Sequence, residues 1–228
     1  GDEGAKALRE ALKENNTLTL LKIMYDDPEL QQYQNKIGDE EVEAITFEIL
    51  INKKVNKDST FWGLACESIG DEKAMVIAAK LKESDIVTKL HLSGNDIGDE
   101  GAMLLADALR ENETLTWLDL GWNKIGDKGA MSLAEALKVN KSLTSLNLSD
   151  NEIGDEGAKV LAEALKVNKT LTGLFLSSNE IGYEGAMVLA EALKENNTLN
   201  RLDIDFSFIS DEYKEVLKDL PRVKSGQL

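Results

Sequence analysis

The chain has little of what enzymes and small stapled domains are built around. Its one cysteine, Cys66, allows no intrachain disulfide and no cysteine-based zinc site. Its one histidine, His91, means that any Ser-His-Asp set would depend on that single ring. No phosphate-cradling glycine loop occurs, so no cofactor is expected. No run of about 18 apolar residues occurs, so nothing reads as a membrane span. No signal peptide is legible. Two prolines and no Gly/Ser-rich stretch mark no linker, which predicts one continuous domain over residues 1–228. Aromatic residues make up only 5%, so a core must come mainly from Leu, Ile and Ala. Positive charge is also scarce, with 26 Lys and Arg against 42 Asp and Glu, a net charge of −16. That balance disfavours nucleic acid, whose phosphates require cationic side chains, and anionic membrane surfaces. It suits either a soluble surface or steering toward a basic protein partner.

What the chain does have is repetition. Ile-Gly recurs at Ile69, Ile97, Ile125, Ile153 and Ile181, each step 28 residues, with Ile209-Ser210 in phase and Ile37-Gly38 slightly out of it. Within each copy the hydrophobic period changes. Ala102, Leu105, Ala106 and Leu109 follow helical spacing, whereas Leu118-Asp119-Leu120 alternates as a short strand does. Asp99 and Glu100 suit the helix start, and Asn112 suits its end, where asparagine tolerates a left-handed turn. The repeated unit is helix, turn, strand, turn. Parallel strands stack about 4.8 Å apart while helices need about 10 Å. Stacked units therefore bend into an arc, with the sheet concave and the helices convex. One unit cannot offset its own ordering cost, so stability must come from its neighbours.

The strand segment Leu115-Thr-Trp-Leu-Asp-Leu-Gly-Trp-Asn123 fits the pattern LxxLxLxxN and resembles a leucine-rich repeat. The helical half, Ile-Gly-Asp-Glu-Gly-Ala through Leu-Ala-Glu-Ala-Leu, is similar to the ribonuclease-inhibitor-like subfamily, which also supplies sensor segments of NOD-like receptors. The resemblance implies an α/β leucine-rich-repeat solenoid of period 28 with about seven to eight repeats. It also implies that Asn35, Asn95, Asn123, Asn151 and Asn179 bond backbone groups of adjacent turns, with Glu67 and Ser207 interrupting that ladder. Ribonuclease inhibitor itself is cysteine-rich and alternates two repeat lengths, so the kinship is one of repeat type.

The pattern loosens at both ends. Leu18, Leu21 and Ile23 mark a strand whose open edge allows self-association, and an insertion around residues 26–34 follows it. A second insertion lies near Lys53–Lys57. Phe206, Phe208 and a helix near Asp211–Asp219 suit a C-terminal cap over 206–228. The opening Gly1-Asp2-Glu3-Gly4 falls in mid-repeat with no comparable cap, which predicts further repeats upstream or a partner covering that end.

Between the core leucines of each strand, side chains point outward. The first outward row reads Leu20, Phe61, Lys89, Trp117, Ser145, Gly173 and Arg201; the second reads Lys22, Gly63, His91, Asp119, Asn147, Phe175 and Asp203. The following turn carries Tyr25, Cys66, Gly94, Trp122, Asp150, Ser178 and Phe206. Core rows barely change while these rows vary, as expected where packing fixes one face and leaves the other free. Trp117 and Trp122 are the leading partner-binding candidates, because exposed tryptophan is characteristic of interface hot spots. Phe61 and Phe175 extend the apolar patch, with His91 and Asn147 on the same face. Asp119, Asp203 and Asp205 suit basic partner groups, and Arg201 an acidic one.

Chemistry finds less support. A Cys66/His91 nucleophile on an open sheet lacks an enclosing pocket. Pairs such as Asp99-Glu100 lack the ligand spacing of calcium loops, so no metal is expected. Asn-x-Ser/Thr at Asn112, Asn140, Asn168 and Asn196 falls at each helix stop, which favours a turn role over glycosylation and a cytoplasmic setting. The sequence thus predicts a non-catalytic protein–protein interaction scaffold, or alternatively a regulatory segment of a larger receptor-like or effector protein.

Overall fold

The computed structural model describes Ala7, Phe47, Ile51, Lys54, Val55, residues 59–204 and the backbone of 223–225. The chain divides into two compact units, Gly1–Ser59 and Thr60–Leu228. In the first, Ala7, Phe47, Ile51 and Lys54 are helical, with the Val55 N–H donating to the Ile51 carbonyl at 2.7 Å. The predicted strand at Leu18–Ile23, its open edge, the insertion at 26–34 and Asn35 lie outside the described residues.

The second unit alternates short strands and helices. The strands are β1 (Phe61–Gly63), β2 (Lys89–His91), β3 (Trp117–Asp119), β4 (Ser145–Asn147), β5 (Gly173–Phe175), β6 (Arg201–Ile204) and β7 (Val223–Ser225). The helices between the first six are α1 (Gly70–Glu83), α2 (Asp99–Glu111), α3 (Asp127–Val139), α4 (Asp155–Val167) and α5 (Tyr183–Glu195). The strands form one parallel sheet in sequence order, β1 to β7. This is the solenoid expected from the repeat, with strands on its inner side and helices on its outer side. Strand β7 is not foretold by the repeat: it pairs Val223 with Leu202, well short of one more 28-residue step. The capping residues Phe206 and Phe208 and the helix predicted near 211–219 lie outside the described residues.

One repeat shows how the core is filled. Ile97, Ala102, Leu105, Ala106, Leu109, Leu115, Leu118 and Leu120 are all buried, the helix residues from one face and the strand residues from alternate positions. Each leucine stabilises by about 1.5–3 kcal/mol in gross terms. Trp62 takes the β1 position that leucine fills at residues 90, 118, 146, 174 and 202, and its indole N–H has no acceptor among the described residues.

Three polar ladders join the copies. Asn95, Asn123, Asn151 and Asn179 donate Nδ2 to the carbonyls of Leu64, Leu92, Leu120 and Leu148 in the preceding repeat, at 2.6–3.0 Å. Their Oδ1 atoms accept from Ile69, Ile97, Ile125 and Ile153. The ladder implied by the family resemblance is therefore present from Asn95 to Asn179. Glu67 stands where it would continue, and its backbone N–H donates to Asn95 Oδ1 at 2.8 Å.

The second ladder corrects an expectation. Asn112, Asn140, Asn168 and Asn196 end their helices in extended backbone (φ −79, −65, −69 and −88°), not in a left-handed turn. Their Nδ2 atoms donate to Leu81, Leu109, Leu137 and Leu165 one repeat back, and the Oδ1 of Asn140 accepts from its own Ser142 and Leu143. Asparagine stands there because an amide both donates and accepts from one buried position, whatever the backbone φ. With at most 6% exposure, none of these side chains is accessible for glycosylation in the folded chain.

The third ladder corrects another. Asp71, Asp99, Asp127 and Asp155 do not cap their own helices. Each Oδ1 accepts two backbone N–H groups at the start of the next helix, as Asp99 does from Gly126 at 2.9 Å and Gly129 at 2.8 Å. The residue that could cap from within the helix is glycine, which has no side chain, so the acceptor comes from the neighbouring repeat. A Cβ on Gly129 would lie 2.8 Å from Asp99 Oδ1, so the second glycine is needed for the approach. Tyr183 takes the aspartate position in α5.

Replacing Asn123 with alanine leaves buried carbonyls and N–H groups in two repeats without partners. The expected loss is about 2–4 kcal/mol, since each orphaned group costs about 1–3 kcal/mol. Urea denaturation measures it, and a loss under about 0.5 kcal/mol would show that the ladder is incidental.

Candidate protein-binding face

The parallel register places the outward side chains in rows. Phe61, Lys89, Trp117, Ser145, Gly173 and Arg201 align across β1 to β6, as do Gly63, His91, Asp119, Asn147, Phe175 and Asp203. Leucines 90, 118, 146, 174 and 202 between them are buried. Leu20, Lys22, Tyr25 and Phe206, expected to continue the rows and the turn, and Asp205, expected to suit a basic partner group, lie outside the described residues.

The centre of the face is a polar cluster. Asp119 is only 8% exposed, covered by its neighbours on the sheet surface. Its Oδ1 accepts from the Gly121 N–H at 3.0 Å and Asn147 Nδ2 at 2.8 Å, and its Oδ2 lies 3.1 Å from His91 Nε2. His91 Nε2 also meets Ser93 Oγ at 2.8 Å, and its ring stands edge-on to Trp117 at 5.6 Å. Asn147 Oδ1 accepts from the Ser149 N–H. Asp119 is thus not a free carboxylate awaiting a basic group, as the sequence alone suggested. It orders His91 and Asn147, and through His91 it fixes the Trp117 ring.

A second cluster lies toward β6. The Arg201 guanidinium sits 4.5 Å from the Phe175 ring centre and 3.4 Å from Asp203 Oδ2, while Asp203 Oδ1 accepts from Ser177 Oγ. Arg201 and Asp203 therefore serve each other before any partner. Phe61, 48% exposed, lies over Gly63 at the β1 end, where a Cβ on Gly63 would come within 3.0 Å of the ring.

Trp122 differs from all of these. It is 70% exposed and sits at φ 55°, in the left-handed region. The equivalent residues Cys66, Gly94, Asp150 and Ser178 share that conformation, at φ 55–68°. Glycine adopts this conformation freely and aspartate readily, whereas a bulky residue there costs about 1–2 kcal/mol, and an exposed indole adds an unfavourable hydration term. The turn geometry is set by backbone bonds, Trp122 N–H to Ser149 and Asn123 N–H to Asp150, so the strain does not come from the indole.

The structure therefore brings His91, Trp117, Asp119 and Asn147 into one group and Phe175, Arg201 and Asp203 into another. Phe61 lies on the β1 end of the face and Trp122 on its rim. Ser93, Ser149 and Ser177, which bond to these groups, were missed; their signal was a further row of small residues at the 28-residue step. Cys66 is exposed, and no cluster of metal-ligating side chains occurs among the described residues. No helix among the described residues is long and apolar enough to cross a membrane.

Comparison with known proteins agrees with the fold. Residues 87–106, 111–134, 139–162 and 167–190 match the family model described as Leucine Rich repeat, so this part of the chain consists of leucine-rich repeats. Among solved structures, the chain resembles one titled Leiomodin-1 Actin-Binding Site 2, with a TM-score of 0.55 and 22% identity over 80% of this chain and 96% of that one. It also resembles the tropomodulin C-terminal domain of Caenorhabditis elegans, with a TM-score of 0.57 and 20% identity over 65% of this chain and 90% of that one. At such identities the likeness concerns the fold alone. None of the curated proteins searched matches the chain.

Trp122→Gly removes an exposed ring and a strained φ together, so stability stays within about 1 kcal/mol of the parent. Leu118→Ala, four residues earlier in the same repeat's core, costs about 2–5 kcal/mol. Urea denaturation followed by circular dichroism separates the two. Equal losses would place the indole in the core rather than on the rim.

Proposed function

We propose that the chain is a non-catalytic protein-binding scaffold whose partner lies against the outward face of the sheet. The observation that carries this reading is the exposed, strained Trp122 beside a face on which Trp117 and Phe175 are held by ring contacts to His91 and Arg201. Fixed aromatics lose little entropy on binding, which is how rigid interfaces gain affinity. A catalytic reading lacks support: His91, the chain's one histidine, is engaged by Asp119 and Ser93 on an open surface. The solved neighbour titled as an actin-binding site of Leiomodin-1 supports a protein as the ligand class. The constant 28-residue period and the Asp-Glu-Gly-Ala helix start support a ribonuclease-inhibitor-like repeat type.

The test compares the two sides of the solenoid. Partner proteins captured by the intact chain are quantified again with Trp117→Ala combined with Phe175→Ala, and separately with Met103→Ala combined with Met131→Ala on the exposed helix side. The sheet-face pair is expected to weaken capture by at least about tenfold, and the helix-side pair to leave it unchanged. The reverse pattern would move the binding surface to the helices.

A further inference from the structure

The sheet face contains its own example of how it holds a cation. Phe175 and Asp203 occupy the same row one repeat apart, and the Arg201 guanidinium lies over the Phe175 ring while pairing with Asp203. Trp122 and Asp150 repeat this arrangement on the rim. They too share a row one repeat apart, both at φ 55°, so their side chains leave the backbone in the same direction. The bonds Trp122 N–H to Ser149 and Asn123 N–H to Asp150 stack the two turns directly. Their separation is thus the strand spacing, about 4.8 Å.

What the rim pair lacks is the cation. The residue that stands to Asp150 as Arg201 stands to Asp203 is Leu148, which is buried in the core. Lys124, two residues after Trp122, is committed to Asp96 at 2.7 Å, and that bond holds its ammonium above the usual lysine range. The Asp150 carboxylate makes no hydrogen bond or ion pair with the described residues, unlike Asp119 and Asp203. Glu152, exposed and two residues further along the chain, adds negative charge. An aromatic face and an uncommitted carboxylate side by side suit a planar guanidinium, which stacks and hydrogen-bonds at once, better than a compact ammonium.

We propose that Trp122 and Asp150 form a docking site for an arginine side chain carried by the partner protein. This deepens the reading of the chain as a protein-binding scaffold and rests on it. The partner segment places its guanidinium over the Trp122 indole and its N–H groups toward the Asp150 carboxylate. The net charge of −16 draws such a basic segment toward the surface before the pair is reached.

The test uses three fluorescein-labelled peptides of identical length, acetyl-Gly-Xaa-Gly-Xaa-Gly, with arginine, lysine or citrulline at both variable positions. Fluorescence anisotropy with the full chain is expected to show the arginine peptide binding at least about fivefold tighter than the other two. Trp122→Gly and Asp150→Asn should each bring it down to the lysine level, and Trp122→Phe should restore part of the preference that Trp122→Gly loses. Equal binding of the arginine and lysine peptides would overturn the proposal, as would an arginine preference that survives Trp122→Gly. Partner capture that depends on Trp117 and Phe175 but is indifferent to Trp122→Gly would also overturn it while leaving the scaffold reading intact.

Discussion

Every turn of this solenoid must satisfy backbone groups that its own repeat leaves unpaired, and the rest of the structure follows from that need. A strand of three residues and a helix of thirteen leave carbonyls and N–H groups exposed at each junction. In this chain the partner is regularly a side chain 26–31 residues away: Asn123 for Leu92 and Ile97, Asn140 for Leu109, Asp99 for Gly126 and Gly129. The spacing cannot drift without breaking all of these bonds together, which is why the 28-residue period holds so closely. The leucine and alanine core then fills the space the ladders define. Threonines 88, 116, 144 and 172 follow the same rule at the strand entrance, each donating its hydroxyl to the carbonyl one repeat back.

This constraint also shapes the binding face. Because register is fixed from outside the face, its side chains are released from specifying the fold and can differ in every repeat. They are not released from one another. Asp119 is spent on Gly121, Asn147 and His91, and Asp203 on Ser177 and Arg201. The clusters cost the face some of its free charge but hold its aromatic rings still. Counting charged residues on such a surface overstates what is offered to a partner; Asp150 is available in a way that Asp119 is not.

The repeat, the alternation of buried and outward positions and the rows of the face were all legible in the sequence, because each depends on counting residues at one step. Trp117 and Asp119 could be placed in neighbouring rows for that reason. Bonds that cross between repeats were less legible. Asp99 looks like a cap for its own helix, and only the stacking shows that it caps the next one. Asn112 looks like a left-handed stop, yet its backbone is extended and its amide reaches Leu81. The covering of Asp119 was hidden for the same reason, since a linear pattern says which side chains share a surface but not which of them bond. Strand β7 breaks the step altogether, so no counting could find it.

The left-handed turn after each strand links the repeat most directly to function. Its conformation is imposed by the backbone bonds to the following repeat, so every residue at that position adopts it whether suited or not. Glycine and aspartate, as at Gly94 and Asp150, fit with little strain. Tryptophan does not, and Trp122, 70% exposed, gains little burial in compensation. A side chain that burdens both the backbone and the solvation of the free chain contributes nothing to folding that glycine would not supply better. Its contribution must therefore be sought outside the fold, in a molecule that covers the indole, and the uncommitted carboxylate beside it indicates what chemistry that molecule presents.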